Sequence, residues 1–163
     1  MTSHEHHALG VRLDGRRYFL IWVDGDFEAR VLARGETALA FGDLAAVQRY
    51  ADDHHLTLSA TVSGLLDLDE VSAWASGDEP PDPVLLLHTW NVLWDVATGT
   101  GSSFAHRSPG LDRIYNKLFA ANNLPAVTPR GERYVPEWTD DELVELREGV
   151  RQGLALVRSA VRP

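Results

Sequence analysis

His88, Asn91 and Asp95, with Thr98 one turn further on, form a polar stripe along the otherwise apolar stretch Val84 to Thr98. At about 100° per residue, a helix would project them within about a quarter of its circumference. A histidine and a carboxylate on one apolar helix are the ingredients of an acid–base pair or of half a metal site. Seven positions separate His88 from Asp95, roughly 10 Å along a helix axis, which is too far for a direct hydrogen bond. The stripe is therefore either the helix's solvent edge or, with Lys117 or His106 folded close to it, the site of a small hydrolase or metal-assisted enzyme.

Other groupings offer less chemistry. Asp52-Asp53-His54-His55 places four potential ligands in a row, but consecutive side chains diverge, so at most one histidine and one aspartate could share an ion. His4, His6 and His7 fall in a polar N-terminal segment and are expected to have no role. Gly99 to Ser103 is rich in Gly and Ser, yet it follows a helix instead of preceding one, so the context of a phosphate cradle is missing. No nucleophile elbow, Walker loop, zincin motif or dinucleotide fingerprint occurs. The chain has no cysteine, which removes thiolate metal sites, thiol nucleophiles and disulfides together, and makes a reducing cytoplasm the expected compartment. Neither a cofactor nor a bound metal is expected.

Charge is distributed unevenly over the 163 residues. The formal net charge is -9, from 24 acidic and 15 basic residues. Between Arg49 and Arg107 there is no Lys or Arg, while Asp52, Asp53, Asp67, Asp69, Glu70, Asp78, Glu79, Asp82 and Asp95 supply nine carboxylates. Outside this window the fifteen acids and fifteen bases cancel. An acidic balance of this kind argues against direct nucleic-acid binding. A one-sided window is either a solvated face or a docking face for a basic partner. No segment is apolar over a length that spans a membrane, so no membrane partner is expected.

The elements that would position these groups are those of an α+β protein. Residues 1–10 read as a flexible tail and 11–163 as one domain, with a sheet-rich half (11–76) and a helical half (84–161). Two Asp-Gly turn signals, Asp14-Gly15 and Asp24-Gly25, flank the strand-like run Tyr18 to Val23. Strands over Phe27–Ala33, Thr37–Phe41 and Leu56–Val62, and a helix capped by Asp43, complete an N-terminal antiparallel sheet of about three to five strands packed against C-terminal helices. Asp82 followed by Pro83 begins the striped helix. A second helix runs from Leu111 to Ala121, and Thr139-Asp140-Asp141-Glu142 is a capping box for the last one. Between them, Asn122 to Trp138 reads as an ordered irregular loop, in which Tyr134 and Trp138 offer rigid aromatic surface.

The segments Trp90 to Asp95, Tyr115 to Phe119, Asn122 to Pro129 and Tyr134 to Trp138, set in a small acidic α+β chain, resemble bacterial proteins of the immunity type, which neutralise a cognate toxin. The resemblance covers residues 84–160 and implies binding without catalysis. The base-free window and the lack of a catalytic motif, which the resemblance does not supply, lead to the expectation of a basic protein partner, such as a nuclease toxin. Asp67, Asp69, Glu70, Asp78, Glu79 and Asp82 would then form the acidic contact face, with Tyr134 and Trp138 as anchors.

Overall fold

A computed structural model describes residues 4–26, 28–60, 63–104 and 108–162. The class is α+β: a sheet built from the N-terminal half is packed against helices from the second half. Strand β1 (His6–Leu13) pairs antiparallel with β2 (Arg16–Val23), in a register that closes on Leu13 and Arg16. The two linking residues, Asp14 and Gly15, both have positive φ, 51° and 74°. This is the geometry that an Asp-Gly hairpin turn demands.

β1 begins at His6, five residues before the expected strand start at Val11. Its polar opening hides the strand in the sequence, although Ala8 and Leu9 are both buried. The expected third strand over Phe27–Ala33 shortens to β3 (Arg30–Val31), and Phe27 lies outside the described residues. β4 (Ala33–Arg34) and β5 (Thr37–Ala38) form a separate two-stranded ribbon, after which β6 (Ala40–Phe41) returns to pair with β2.

Helix α1 (Leu44–Asp53) is capped by the Asp43 carboxylate and leads to β7 (Ser63–Asp67). β7 lies parallel to β1, so the sheet is mixed where an antiparallel one was expected. The reason is connectivity: a helical crossover returns the chain in the same direction, whereas hairpins reverse it. The expected strand over Leu56–Val62 contributes one isolated bridge, Leu58 to His6, and residues 61–62 lie outside the described set.

Four helices follow: α2 (Leu68–Ser76), α3 (Pro83–Thr100), α4 (Pro109–Ala121) and α5 (Asp140–Ala160). Their starts are specified by local chemistry. Asp67 and Asp82 cap α2 and α3, Ser108 caps α4, and Thr139 and Glu142 form the capping box of α5. Alternation along the sheet separates two cores. Ala8 and Ile21 pack with Val47 of α1 on one face, whereas Leu9, Val11 and Leu20 join the helical layer on the other. At the centre of that layer α3 meets α5 closely, because a Cβ at Gly149 would lie 2.8 Å from the Trp90 ring and one at Gly153 would lie 2.4 Å from Leu93. No helix among the described residues is long and apolar enough to cross a membrane.

Candidate functional site

The polar stripe faces a cleft of about 310 Å³, lined by His7, Leu9, Trp22, His88, Asn91, Val92 and Asp95. Strand periodicity supplies one wall. His7 and Leu9 are two residues apart on β1, and Trp22 is the cross-strand partner of His7, with ring centroids 5.2 Å apart. Helical spacing supplies the other, since positions 88, 91, 92 and 95 recur on one side of α3.

Asp95 is the electrostatic centre of the cleft. Trp22 Nε1 donates a 2.7 Å hydrogen bond to its Oδ2. Burial pushes the Asp95 pKa up to about 6; the Trp22 bond holds it back, while the nearby carboxylates of Glu28 and Asp24 push it further up. Burial lowers the His88 pKa, which favours the neutral imidazole. The Tyr115 hydroxyl donates to Asn91 Oδ1 at 3.3 Å. His88, Asn91 and Asp95 are thus brought to one concave site. Thr98 lies beyond it, its buried Oγ1 without a hydrogen-bond partner among the described residues.

Of the two helpers expected for an enzyme, Lys117 is placed elsewhere. Lys117 Nζ donates to Glu142 Oε2 at 2.7 Å and to the Glu137 carbonyl at 2.8 Å, and it sits 5.6 Å above the Trp138 ring, away from the cleft. His106 lies outside the described residues. His54 stacks on Tyr50 and hydrogen-bonds the Tyr50 carbonyl, while Asp52 accepts from Gln48. Among the described residues no three His, Asp or Glu side chains are grouped to hold an ion. Gly99 to Ser103 ends α3 on a left-handed Gly101, with the Thr100 hydroxyl donating to the Val96 carbonyl.

The acidic window looks different in space than in sequence. Arg12 of β1 approaches Asp67 at 3.7 Å and Asp69 at 3.6 Å. Asp67 also caps α2, and Asp69 accepts the N–H groups of Asp14 and Gly15 at 2.6 and 2.8 Å. Asp82 caps α3. Three arginines of α5 reach the same region: Arg147 to the Glu79 carbonyl, Arg151 to the Ala75 carbonyl, and Arg158 to Ser72 Oγ. Of the six expected contact carboxylates, Glu70, Asp78 and Glu79 alone make neither an ion pair nor a cap among the described residues. Trp138 is half-buried against the core, and Tyr134 is 40% exposed with its backbone held by Asn123.

No family model matches the chain, and no curated protein matches it by sequence. One solved structure is similar: the crystal structure of SatS c-terminal domain in complex with bromine. The two share 16% identity at a TM-score of 0.54, over 96% of this chain and 92% of that one. At that identity the likeness is one of fold.

Sequence reasoning identified the α3 wall of the cleft and missed the β1–β2 wall. The available signal was Trp22. A tryptophan near the end of a largely apolar strand run, with an indole N–H to satisfy, points to a polar partner across the core.

Proposed function

We propose that this chain is a non-catalytic, cytoplasmic binding protein for a basic protein partner, of which a cognate toxin is the instance its sequence resemblance implies. The observation that supports this reading is Asp95 in a cleft whose lining holds no Lys or Arg among the described residues, with Asp24 and Glu28 near enough to raise its pKa. Glu70, Asp78 and Glu79 add carboxylates that the fold leaves uncommitted. Such a field accelerates encounter with a cationic surface and disfavours acidic competitors, and an aromatic group such as Trp22 supplies the anchor that charge alone lacks.

The test is affinity purification from the native host at low and high salt, comparing the unaltered chain with Asp24→Asn/Glu28→Gln and with Glu70→Gln/Asp78→Asn/Glu79→Gln. Asp67, Asp69 and Asp82 are left intact because they hold the fold. The expected result is a basic protein that is retained at low salt, released at high salt, and associates more slowly with the neutralised variants. A partner whose binding ignores both salt and these substitutions would overturn the reading.

One observation favours a second reading, a small hydrolase or metal-assisted enzyme. His88 and Asp95 line one cleft, where burial raises the Asp95 pKa to about 6 and, by lowering that of His88, favours the neutral imidazole that could serve as a base. No hydroxyl or amine nucleophile among the described residues lines the cleft, so this route is one that activates water. Turnover of ester or phosphoester substrates that disappears in both His88→Gln and Asp95→Asn would establish it.

A further inference from the structure

We propose that the cleft between β1, β2 and α3 binds one organic cation, a guanidinium, amidinium or ammonium group on an apolar stem or ring, with its charge against Asp95 and its apolar part against Trp22, Leu9 and Val92. This rests on the reading of the cleft as the recognition site and names the chemistry of what enters it.

Size comes first. About 310 Å³ is at the small end of ligand pockets and suits one side chain or a compact amine, leaving a folded peptide segment too large to enter. The walls come next. Leu9 and Val92 are buried apolar residues, and the indole of Trp22 and the tilted ring of His7 close one side. Dry walls of this kind disfavour a hydrated inorganic ion and favour a ligand that carries its own apolar surface. An indole face additionally attracts a cation.

Charge then selects the sign of the ligand. An ionised carboxylate accepts about four hydrogen bonds. Asp95 Oδ2 takes the Trp22 N–H, while Oδ1 has no hydrogen-bond partner among the described residues. Among the described residues, the other charged groups that act on the Asp95 pKa are Asp24 and Glu28, both negative. His7 on the facing strand lies 4.0 Å from Glu5, and His88, two turns back along α3, is held toward neutrality by burial. No Arg or Lys among the described residues lines the site. A half-buried carboxylate surrounded by further acids gains most from an incoming cation that also donates hydrogen bonds, as guanidinium and ammonium groups do. Divalent metals are poorly matched, because no second and third ligand are grouped with Asp95 among the described residues.

The experiment titrates the full chain with benzamidinium, argininamide and neutral benzamide, following the Trp22 indole N–H by ¹H–¹⁵N NMR. The expected result is saturable binding of at least one of the cations, about tenfold or more tighter than benzamide and about tenfold or more weakened by Asp95→Asn. Asn91→Phe, at an exposed rim position, should block the cleft and abolish the shift without disturbing the core. Binding of argininamide alone would identify the source as a partner's arginine side chain; binding of benzamidinium as well would identify a free amine or amidine. Equal binding of benzamide, unchanged binding by Asp95→Asn, or no binding of either cation would overturn the proposal. If salt-sensitive capture of a basic protein persisted in that case, the partner reading would survive without it. A chain that binds cations but captures no basic protein would instead uphold the cleft as a cation site and remove the partner.

Discussion

The β1–β2 hairpin has two ends with opposite electrostatic economies. At its turn, Asp69 accepts both turn N–H groups and pairs with Arg12, and Arg158 engages Asp14 through Nε at 3.0 Å. Arg16 and Arg162 line the same pocket as Asp14 and Arg158. At the open end, His7 and Trp22 line one cleft with Asp95; Asp24 and Glu28 are near enough to raise its pKa, and no arginine or lysine among the described residues lines the cleft. Carboxylates at the turn are committed to holding chain segments together. Asp95 at the open end, its pKa raised by burial, lowers stability at neutral pH unless something from outside compensates it. The same residue type thus serves structure at one end and recognition at the other, and the set of partners around each carboxylate tells which.

The sharpest way to break this contrast is Asp69→Ala. Losing two charge-assisted backbone hydrogen bonds and the Arg12 pair should destabilise the fold by about 2 kcal/mol, read from the urea midpoint. A negligible loss would mean that the turn end is no more committed than the open end.

Asp95→Asn should act in the opposite direction. The amide oxygen can still accept from Trp22 while the desolvated charge disappears. A pKa of about 6 against the ordinary 3.8 corresponds to about 3 kcal/mol, and discounting a part-exposed group for solvent screening leaves about 1–2 kcal/mol of stabilisation at neutral pH. Destabilisation instead would show that the carboxylate is structural.

The pH dependence sharpens the same point. Because the folded-state pKa of Asp95 is raised, the folded chain takes up this proton before the unfolded chain does. The Asp95 contribution to stability therefore rises as pH falls from about 6 toward 4, opposite to the usual carboxylate case. Glu142 shows that usual case: the hydrogen bond from Lys117 lowers its pKa, so its contribution is lost on acidification. Subtracting the Asp95→Asn stability profile from that of the unaltered chain should isolate the inverted slope, and a flat difference would remove the argument. The smallest effect is expected from Glu70→Gln/Glu79→Gln, within about 0.5 kcal/mol, since among the described residues neither side chain is paired or capping. A larger change in thermal midpoint would reveal a structural use of these carboxylates.

Local signals in the sequence proved readable. Asp82-Pro83, Thr139 to Glu142 and Asp14-Gly15 specify a cap, a capping box and a turn through interactions within a few residues, and each is present. Non-local features were hidden. Arg147, Arg151 and Arg158 reach the acidic window from about 70 to 90 positions away, so a stretch without bases in sequence is partly neutralised in space. The Trp22 wall depends on how α3 docks on the sheet, and the parallel placement of β7 depends on a crossover. His6 and His7 look like tail residues until β2 and the Leu58 bridge flank them.

The walls of the cleft belong to the best-braced parts of the molecule. β1 is hydrogen-bonded on both sides, to β2 and β7, and α3 is locked to α5 where Gly149 and Gly153 admit Trp90 and Leu93. Neither wall can shift far without opening the sheet or the helix pair. A ligand therefore meets a preformed receptor, the entropy lost on binding falls mainly on the ligand itself, and association should follow a single concentration-dependent phase with no slow isomerisation behind it.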